Sequence, residues 1–377
     1  MAKRIINYKT LNKTYCPMPF VHIYNDSAGW YDLCCHTGNY TRTHNVNSTL
    51  PFDFLFSKEM EEVRNKMLNG EKVDVCQRCY EQEEFIGDSK RIEYIDTYGT
   101  PSKIGKVYIK LRIFGNYCNL SCYMCHPHNS STRAKELNDL NEINSHWRFD
   151  DPVHFKKLNY EQVEKNILDN IRFISTIGIT GGEPLQSKRM YEFLEKIPKY
   201  YSNSITLHFS TNFTKTKWKG HSVDDILEKF DKVLLSVSCD HFSDKLEWIR
   251  HPINIDDFEN NLLSYRRNVK IYPTVSVLNV EELDEITKYY KDNFNIATEF
   301  DSASIVNSPT ILTPSNHINR ESIISKYIHR NDLKHVISYM TDEKYLKSRD
   351  KLRIKMFNYL DKLSLTRGDW KKLWKTI

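Results

Sequence analysis

Hydrophobic and polar positions divide the 377-residue chain into three stretches of different rhythm. Near the start, Phe20-Val21-His22-Ile23-Tyr24 alternates, Asn25-Asp26-Ser27-Ala28-Gly29 carries turn chemistry and Trp30-Tyr31-Asp32-Leu33 returns. Residues 16–35 therefore read as a hairpin. A helix is predicted over residues 57–68, where Met60, Val63 and Met67 share a face and Asn69-Gly70 ends it. Tyr98-Gly99-Thr100-Pro101 marks a boundary. From residue 106 to about 308, short apolar runs at 107–114, 176–180, 204–210, 232–238, 269–278 and 302–306 alternate with amphipathic helices. Examples are 161–173, with Val163, Ile167 and Ile171 in register, and 280–290, with Leu283 and Ile286. Six β/α units imply an α/β fold, a parallel sheet with helices outside it, either open or curved into a partial barrel. Reactive groups in such folds sit at the carboxyl ends of the strands. From Asn319 on, the chain reads as helical and rich in Tyr, Lys and Leu.

Composition narrows the class. With 40% hydrophobic, 12% aromatic and 27% charged residues, the chain can bury a core and is neither disordered nor collagen-like. No apolar run is long enough for a membrane span, and residues 1–9 lack the apolar core of a secretion signal, so a soluble, cytoplasmic protein with no membrane partner is expected. The net charge of +5 is unevenly placed, since residues 315–377 hold 15 Lys and Arg against 7 Asp and Glu. Such a tail either attracts nucleic acid or an acidic substrate, or is the solvated face of Lys-rich helices, the commoner arrangement. Tyr327, Tyr339, Tyr345, Tyr359, Trp370 and Trp374 in this tail read as packing residues rather than base-stacking ones.

Nine cysteines change the picture more than the charge does, because a reducing compartment favours thiolate metal ligands over disulfides. Directly after the first strand of the β/α stretch comes Cys118-Asn119-Leu120-Ser121-Cys122-Tyr123-Met124-Cys125. Three thiolates in eight residues can hold three irons of a four-iron cubane and leave the fourth open. Zinc is the rival, with His126 or water completing its ligands. A second group comprises Cys16, Cys34, Cys35, Cys76 and Cys79, in which a hairpin and a distant Cys76-Gln77-Arg78-Cys79 can bring four thiolates together. Zinc would accept those four as well. Cys239 lies between Ser238 and Asp240 at a strand end and is expected to be a buried structural thiol.

The spacing of Cys118, Cys122 and Cys125 resembles that of the radical S-adenosylmethionine (radical SAM) enzymes, and Thr180-Gly181-Gly182-Glu183-Pro184 after the second strand resembles their GGEP motif. The resemblance implies a partial (β/α)6 TIM-like barrel over 101–314, between a small cysteine-rich α+β segment at 1–100 and a basic helical region at 315–377. It implies a [4Fe-4S] cluster held by those three cysteines. It also implies reductive cleavage of S-adenosylmethionine to a 5′-deoxyadenosyl radical that abstracts hydrogen from a substrate. Two glycines let backbone approach a ligand, and Glu183 offers an acceptor to the methionine ammonium. Where the family has an aromatic residue near adenine this chain has Met124, with Tyr123 one place earlier. Thr211, Asn212, Ser238, Asp240 and Arg250 carry over as cofactor contacts, Arg250 toward the methionine carboxylate, although a surface salt bridge explains Arg250 equally well. No catalytic acid or base is assigned.

The spacing from Cys16 through Gly29 to Cys34 is similar to the SPASM or twitch region of radical SAM enzymes, placed here before the barrel. That resemblance, shared with uncharacterised and partly bacteriophage-encoded members, implies an auxiliary [4Fe-4S] cluster on Cys16, Cys34, Cys76 and Cys79, with Cys35 spare or replacing Cys34. A phage-encoded member would work in the host-cell cytoplasm. Peptide or protein side chains are the expected substrates, with small sugars, alcohols or nucleotides as alternatives and nucleic acid left open. An external electron donor such as flavodoxin or ferredoxin is implied. The reading of another class is a non-catalytic zinc-stapled binding protein, which explains the cysteines but not the placement of residues 180–184.

Overall fold

The computed structural model describes residues 13–26, 28–37, 43–143, 145, 158–301, 304–346, 348–375 and 377. Five parallel strands form the centre of the molecule: β3 (Val107–Leu111), β4 (Ile174–Ile179), β5 (Thr206–Thr211), β8 (Lys232–Ser238) and β9 (Val269–Tyr272). The N-terminal hairpin of β1 (His22–Asn25) and β2 (Tyr31–Asp32) extends the same sheet, because β1 pairs in parallel with β3. The seven-stranded order is β2-β1-β3-β4-β5-β8-β9, and β6 (Lys217–Trp218) and β7 (His221–Ser222) form a separate small hairpin. Helices Tyr160–Asp169, Lys188–Lys196, Val223–Lys229 and Ile255–Tyr265 occupy the crossovers, as a parallel sheet requires. The chain is thus α/β with a mostly parallel sheet, as the alternating pattern and the partial-barrel resemblance imply.

Several element boundaries differ from those expected. Phe20 and Val21 belong to a helical turn, Met18–Val21, instead of the first hairpin strand; Pro19 within its first positions favours a helix start. The run 107–114 stops as a strand at Leu111. The run 269–278 stops at Tyr272 and then touches the next segment through single parallel bridges, Ile271 to Thr298 and Val275 to Ile305. Of the expected strand 302–306, residues 302 and 303 lie outside the described ones, and Ile305 contributes that one bridge. The helix 57–68 forms as Lys58–Leu68, with Ser57 capping Met60 N–H and Met60, Val63 and Met67 buried.

The C-terminal region packs on the barrel through helices Arg320–Tyr327, Lys334–Thr341 and Arg349–Arg367. Tyr327, Tyr339, Tyr359, Trp370 and Trp374 are all buried, so the aromatic residues of the tail serve packing; the side chain of Tyr345 lies outside the described residues. Part of the basic charge is neutralised locally, Lys326 by Glu285, Arg330 by Asp284 and Asp332, and Lys371 by Asp361. No helix among the described residues is long and apolar enough to cross a membrane.

Two buried arginines tie this region to the cysteine loop. Arg133, fully buried in helix Ser131–Asp139, donates to Tyr123 O at 2.7 Å and pairs with Glu136. Arg367 closes on the other side of Glu136 at 2.6 Å and donates to Ser121 O and to Trp248 O. Burial alone raises the Glu136 carboxyl, but Arg367 and Arg133 together hold it down to about 2. Removing one member of such a buried network leaves the others uncompensated. Arg367→Met is therefore expected to lower the unfolding free energy by about 3–5 kcal/mol, measured by urea denaturation of the purified chain.

Candidate active site

The carboxyl ends of the parallel strands open into a cavity of about 570 Å³. Its rim carries one inward residue from each strand: Arg112 just beyond β3, Thr180 beyond β4, Ser210 on β5, Ser238 on β8 and Thr274 beyond β9. The period of two along each strand places these residues on the interior face while their neighbours pack under the helices. Cys118, Cys122 and Cys125 all line this cavity, together with Met124, Gly181, Gly182, Asn212 and Arg250.

The cysteine loop has little regular structure of its own, and its backbone is satisfied from outside. Ser121 N–H donates to His251 O at 2.7 Å, Tyr123 N–H to Ile249 O at 2.9 Å, and Glu183 N–H to Tyr117 O at 2.7 Å. Gly182 is required by this packing: a Cβ there would lie 2.2 Å from Tyr117 O and 2.8 Å from Asn116 C, at a φ of +57°. The second glycine of the motif therefore admits the cysteine loop's backbone as well as facing the cavity.

The sulfurs are held by donors. Asn212 Nδ2 reaches Cys118 Sγ at 3.6 Å, and Arg250 Nη1 reaches Cys122 Sγ at 3.6 Å. Burial pushes the three thiols up, Cys125 to about 12, while Arg250 opposes the rise at Cys122. A metal group bound there would displace their protons. Among the described residues no three or more His, Cys, Asp or Glu are arranged to hold a single metal ion. A cubane does not require such convergence, because its ligands approach separate corners. Three thiols on one roomy cavity, two of them with sulfur-directed donors, fit such a group. His126, the fourth ligand of the zinc alternative, also lines the cavity, but its Nδ1 accepts from His128 N–H at 3.2 Å.

Three residues expected to touch cofactor stand behind the cavity wall instead. Glu183 is buried, its carboxylate accepting from Thr211 Oγ1 at 2.6 Å, Asn212 N–H at 2.6 Å and Leu185 N–H at 3.1 Å. It knits β4's end to β5's end. Pro184 is buried in the short turn Pro184–Gln186. Asp240 is fully buried and holds Arg250 at 2.8 Å while accepting from Thr274 N–H at 2.6 Å. Arg250 is thus part of a buried pair and not of a surface one, since it is only 5% exposed. Cys239 is buried as expected, its sulfur 2.8 Å from Tyr290 Oη.

In the N-terminal segment, Cys16, Cys34, Cys76 and Cys79 surround one narrow void of about 20 Å³, about the room of a water. Arg91, held by Glu83 and by Tyr15 O, lies at its wall and favours thiolates at Cys16 and Cys76 against the burial that raises them. Cys35 faces the other way, into the large cavity, so of the adjacent pair it is Cys34 that joins the four-cysteine set. His36 and Arg78 line both spaces and form the partition between them.

Besides Cys35, the large cavity contains residues not singled out from the sequence: Arg78, Lys110, Arg112 and His36. The alternation Val107-Tyr108-Ile109-Lys110-Leu111-Arg112 was the available signal. A strand with helices on one side can place charges only on the face that lines an opening.

Burial raises Glu183 to about 7, against hydrogen bonds from Thr211, Asn212 and Leu185 that lower it. The folded chain then binds this proton more tightly than the unfolded chain, whose carboxyl titrates near 4.5, so stability falls as pH rises between those values. Glu183→Gln is expected to remove this contribution. The unfolding free energy of the metal-free variant should gain about 2–3 kcal/mol relative to the parent between pH 5 and pH 8, read by denaturant titration at each pH.

Residues 113–292 match the model of the Radical SAM superfamily. Solved structures similar to this chain include native anSMEcpe with bound AdoMet, at 18% identity over 51% of this chain and 51% of that one, TM-score 0.38. Others are Streptococcus suis SuiB bound to S-adenosylmethionine, at 13% identity over 73% and 55%, TM-score 0.32, and TYW1 with a lysine-pyruvate adduct bound, at 11% identity over 57% and 70%, TM-score 0.28. The chain spans about half the length of the first two. No curated protein matches it. The matched segment runs from the end of β3 past the cysteine loop, the glycine pair and β9, and its superfamily uses a [4Fe-4S] cluster with S-adenosylmethionine. Residues 113–292 of the chain thus carry a Radical SAM superfamily domain.

Proposed function

We propose that the chain is a radical SAM enzyme acting on a peptide or protein side chain, with an auxiliary [4Fe-4S] cluster on Cys16, Cys34, Cys76 and Cys79. The observation that carries the catalytic reading is the convergence of Cys118, Cys122 and Cys125 with the inward residues of all five parallel strands on one cavity. When bound, the cluster and S-adenosylmethionine supply a 5′-deoxyadenosyl radical, which takes hydrogen from an unactivated carbon. The chain's own contribution is to bind, orient and shield. Cys118, Cys122 and Cys125 would hold the cluster. Asn212, which donates to Cys118 Sγ, and Arg250, which donates to Cys122 Sγ, position two of those ligands. Met124, Thr211 and Ser238 line the remaining wall, where the cofactor's adenosine and methionine would be received. Ile305 and Val306 close the opposite side with apolar surface, which limits water near a reactive intermediate.

The auxiliary cluster is supported by the four-cysteine set around one void and by its position, one partition of His36 and Arg78 away from the catalytic cavity. With all four ligands supplied by cysteine, electron transfer is the role it favours over substrate binding. The resemblance of this segment to SPASM and twitch regions supports a peptide or protein substrate, and reduction is assigned to an external flavodoxin- or ferredoxin-type donor.

Metal analysis after anaerobic reconstitution tests both parts. About 8 iron per chain are expected, falling to about 4 when Cys118, Cys122 and Cys125 are replaced by Ala, and to about 4 when Cys16, Cys34, Cys76 and Cys79 are replaced. The parent should convert S-adenosylmethionine to 5′-deoxyadenosine and methionine on reduction, and the first variant should not. Zinc without iron would overturn the catalytic reading. Zinc with about 4 iron would reassign the N-terminal site alone.

A further inference from the structure

Four cations line the catalytic cavity: Arg78, Lys110, Arg112 and Arg250. Lys110 and Arg112 project from β3 into the catalytic cavity, and Arg78 enters it from helix Gln77–Ile86. Among the described residues no carboxylate lines this cavity. Among the described residues Lys110 has no hydrogen-bond or ion-pair partner. Arg112 Nη1 donates only to the neutral Asn129 Oδ1, at 2.5 Å, and its Nε is buried without a partner. Arg78 spends its bond on the Tyr339 hydroxyl. The neighbouring carboxylates are engaged elsewhere: Asp301 with Lys90 at 2.8 Å, and Glu299 with Lys270 and Tyr272. Arg250, the fourth cation of the wall, is matched by Asp240.

Two further features show that this side of the cavity is built for a ligand. His36 is 93% buried, given its 7% exposure, and neither ring nitrogen has a partner, although the ring lines the cavity beside Arg78. The neighbouring strand β4 gives the Lys110 side chain its place on this wall, for a Cβ on Gly178, its partner in register, would lie 2.9 Å from Lys110 Cγ and 2.6 Å from Tyr108 Oη. Burying unpaired cations and an unpartnered imidazole together is costly unless an anion completes them.

Resting on the radical SAM reading, we propose that Lys110, Arg112, Arg78 and His36 form an oxyanion subsite that receives a carboxylate or phosphate group of the substrate and so positions the rest of it in the catalytic cavity. The two cations on β3 supply the charge, and the imidazole supplies a neutral donor at the partition. The substrate is therefore of an anionic class: a peptide presenting an acidic side chain or terminal carboxylate, or a phosphorylated molecule.

Cys35 reports on this subsite without any turnover. It is the one exposed thiol of the nine, and it faces the same cavity. Its alkylation by iodoacetate and by iodoacetamide is followed by peptide mass mapping on the anaerobically reconstituted protein. The rate ratio of the two reagents cancels the thiolate fraction and reads the local field. Lys110→Met is expected to lower the iodoacetate-to-iodoacetamide ratio by roughly 3- to 10-fold, and Lys110→Arg to restore it. A ratio unmoved by Lys110→Met overturns the proposal. The unmodified chain supplies a second measurement should that variant fold poorly. Millimolar malonate or inorganic phosphate, against chloride at equal ionic strength, should slow Cys35 labelling, malonate the more if the group is a carboxylate and phosphate the more if it is a phosphate. Protection by neither overturns the proposal, as does protection by S-adenosylmethionine alone, which would assign the cations to the cofactor's carboxylate. Because the labelling needs no radical chemistry, a chain that fails to cleave S-adenosylmethionine yet shows these effects would lose the catalytic reading and keep the subsite.

Discussion

The rest of the site depends on how the cysteine loop is held open. The loop that turns three thiols toward one cavity leaves Ser121 O and Tyr123 O without a backbone partner of its own, and buried carbonyls without donors are costly. Arg133 and Arg367 supply those donors from two helices far apart in sequence, and Glu136 between them balances their charge. The C-terminal helices thus have a structural role that their composition hides. Their basic charge includes the guanidinium that fixes Ser121 O, and Tyr359 Oη adds a second donor to Tyr123 O at 3.1 Å.

The same economy runs through the glycine pair and the acids around it. Glu183 and Asp240 resemble ligand-binding carboxylates in sequence, yet each is spent on backbone and side-chain donors behind the wall. Each reaches the cavity through the residues it holds. Glu183 sets the spacing between the ends of β4 and β5, and with it the approach of Asn212 to Cys118. Asp240 sets the reach of Arg250 to Cys122. The cations that remain uncompensated, on β3 and at the partition, are the ones left to meet something brought in from outside.

The two cysteine groups are neighbours because the N-terminal hairpin joins the barrel sheet. The pairing of β1 with β3 carries Cys34 to one side of the partition and Cys35 to the other. Cys34 and Cys35 lie where the chain bends into a turn after β2, and there the two side chains part, one to each space.

Much of this was legible in the chain alone. Alternating apolar runs and amphipathic helices determine an α/β architecture, because a parallel sheet needs crossovers and covered faces. The spacing of Cys118, Cys122 and Cys125 resembles that of the superfamily whose model residues 113–292 match. Other features were set by contacts between residues distant in sequence. Only the packing of β5 against β4 turned Glu183 away from the cavity, and only the fold put Cys34 at the small void and Cys35 at the large cavity. Lys110 became a candidate for substrate binding when its strand was enclosed and no carboxylate came to meet it. Local pattern dictates what each residue can form, whereas burial, partners and free space are properties of the assembled fold.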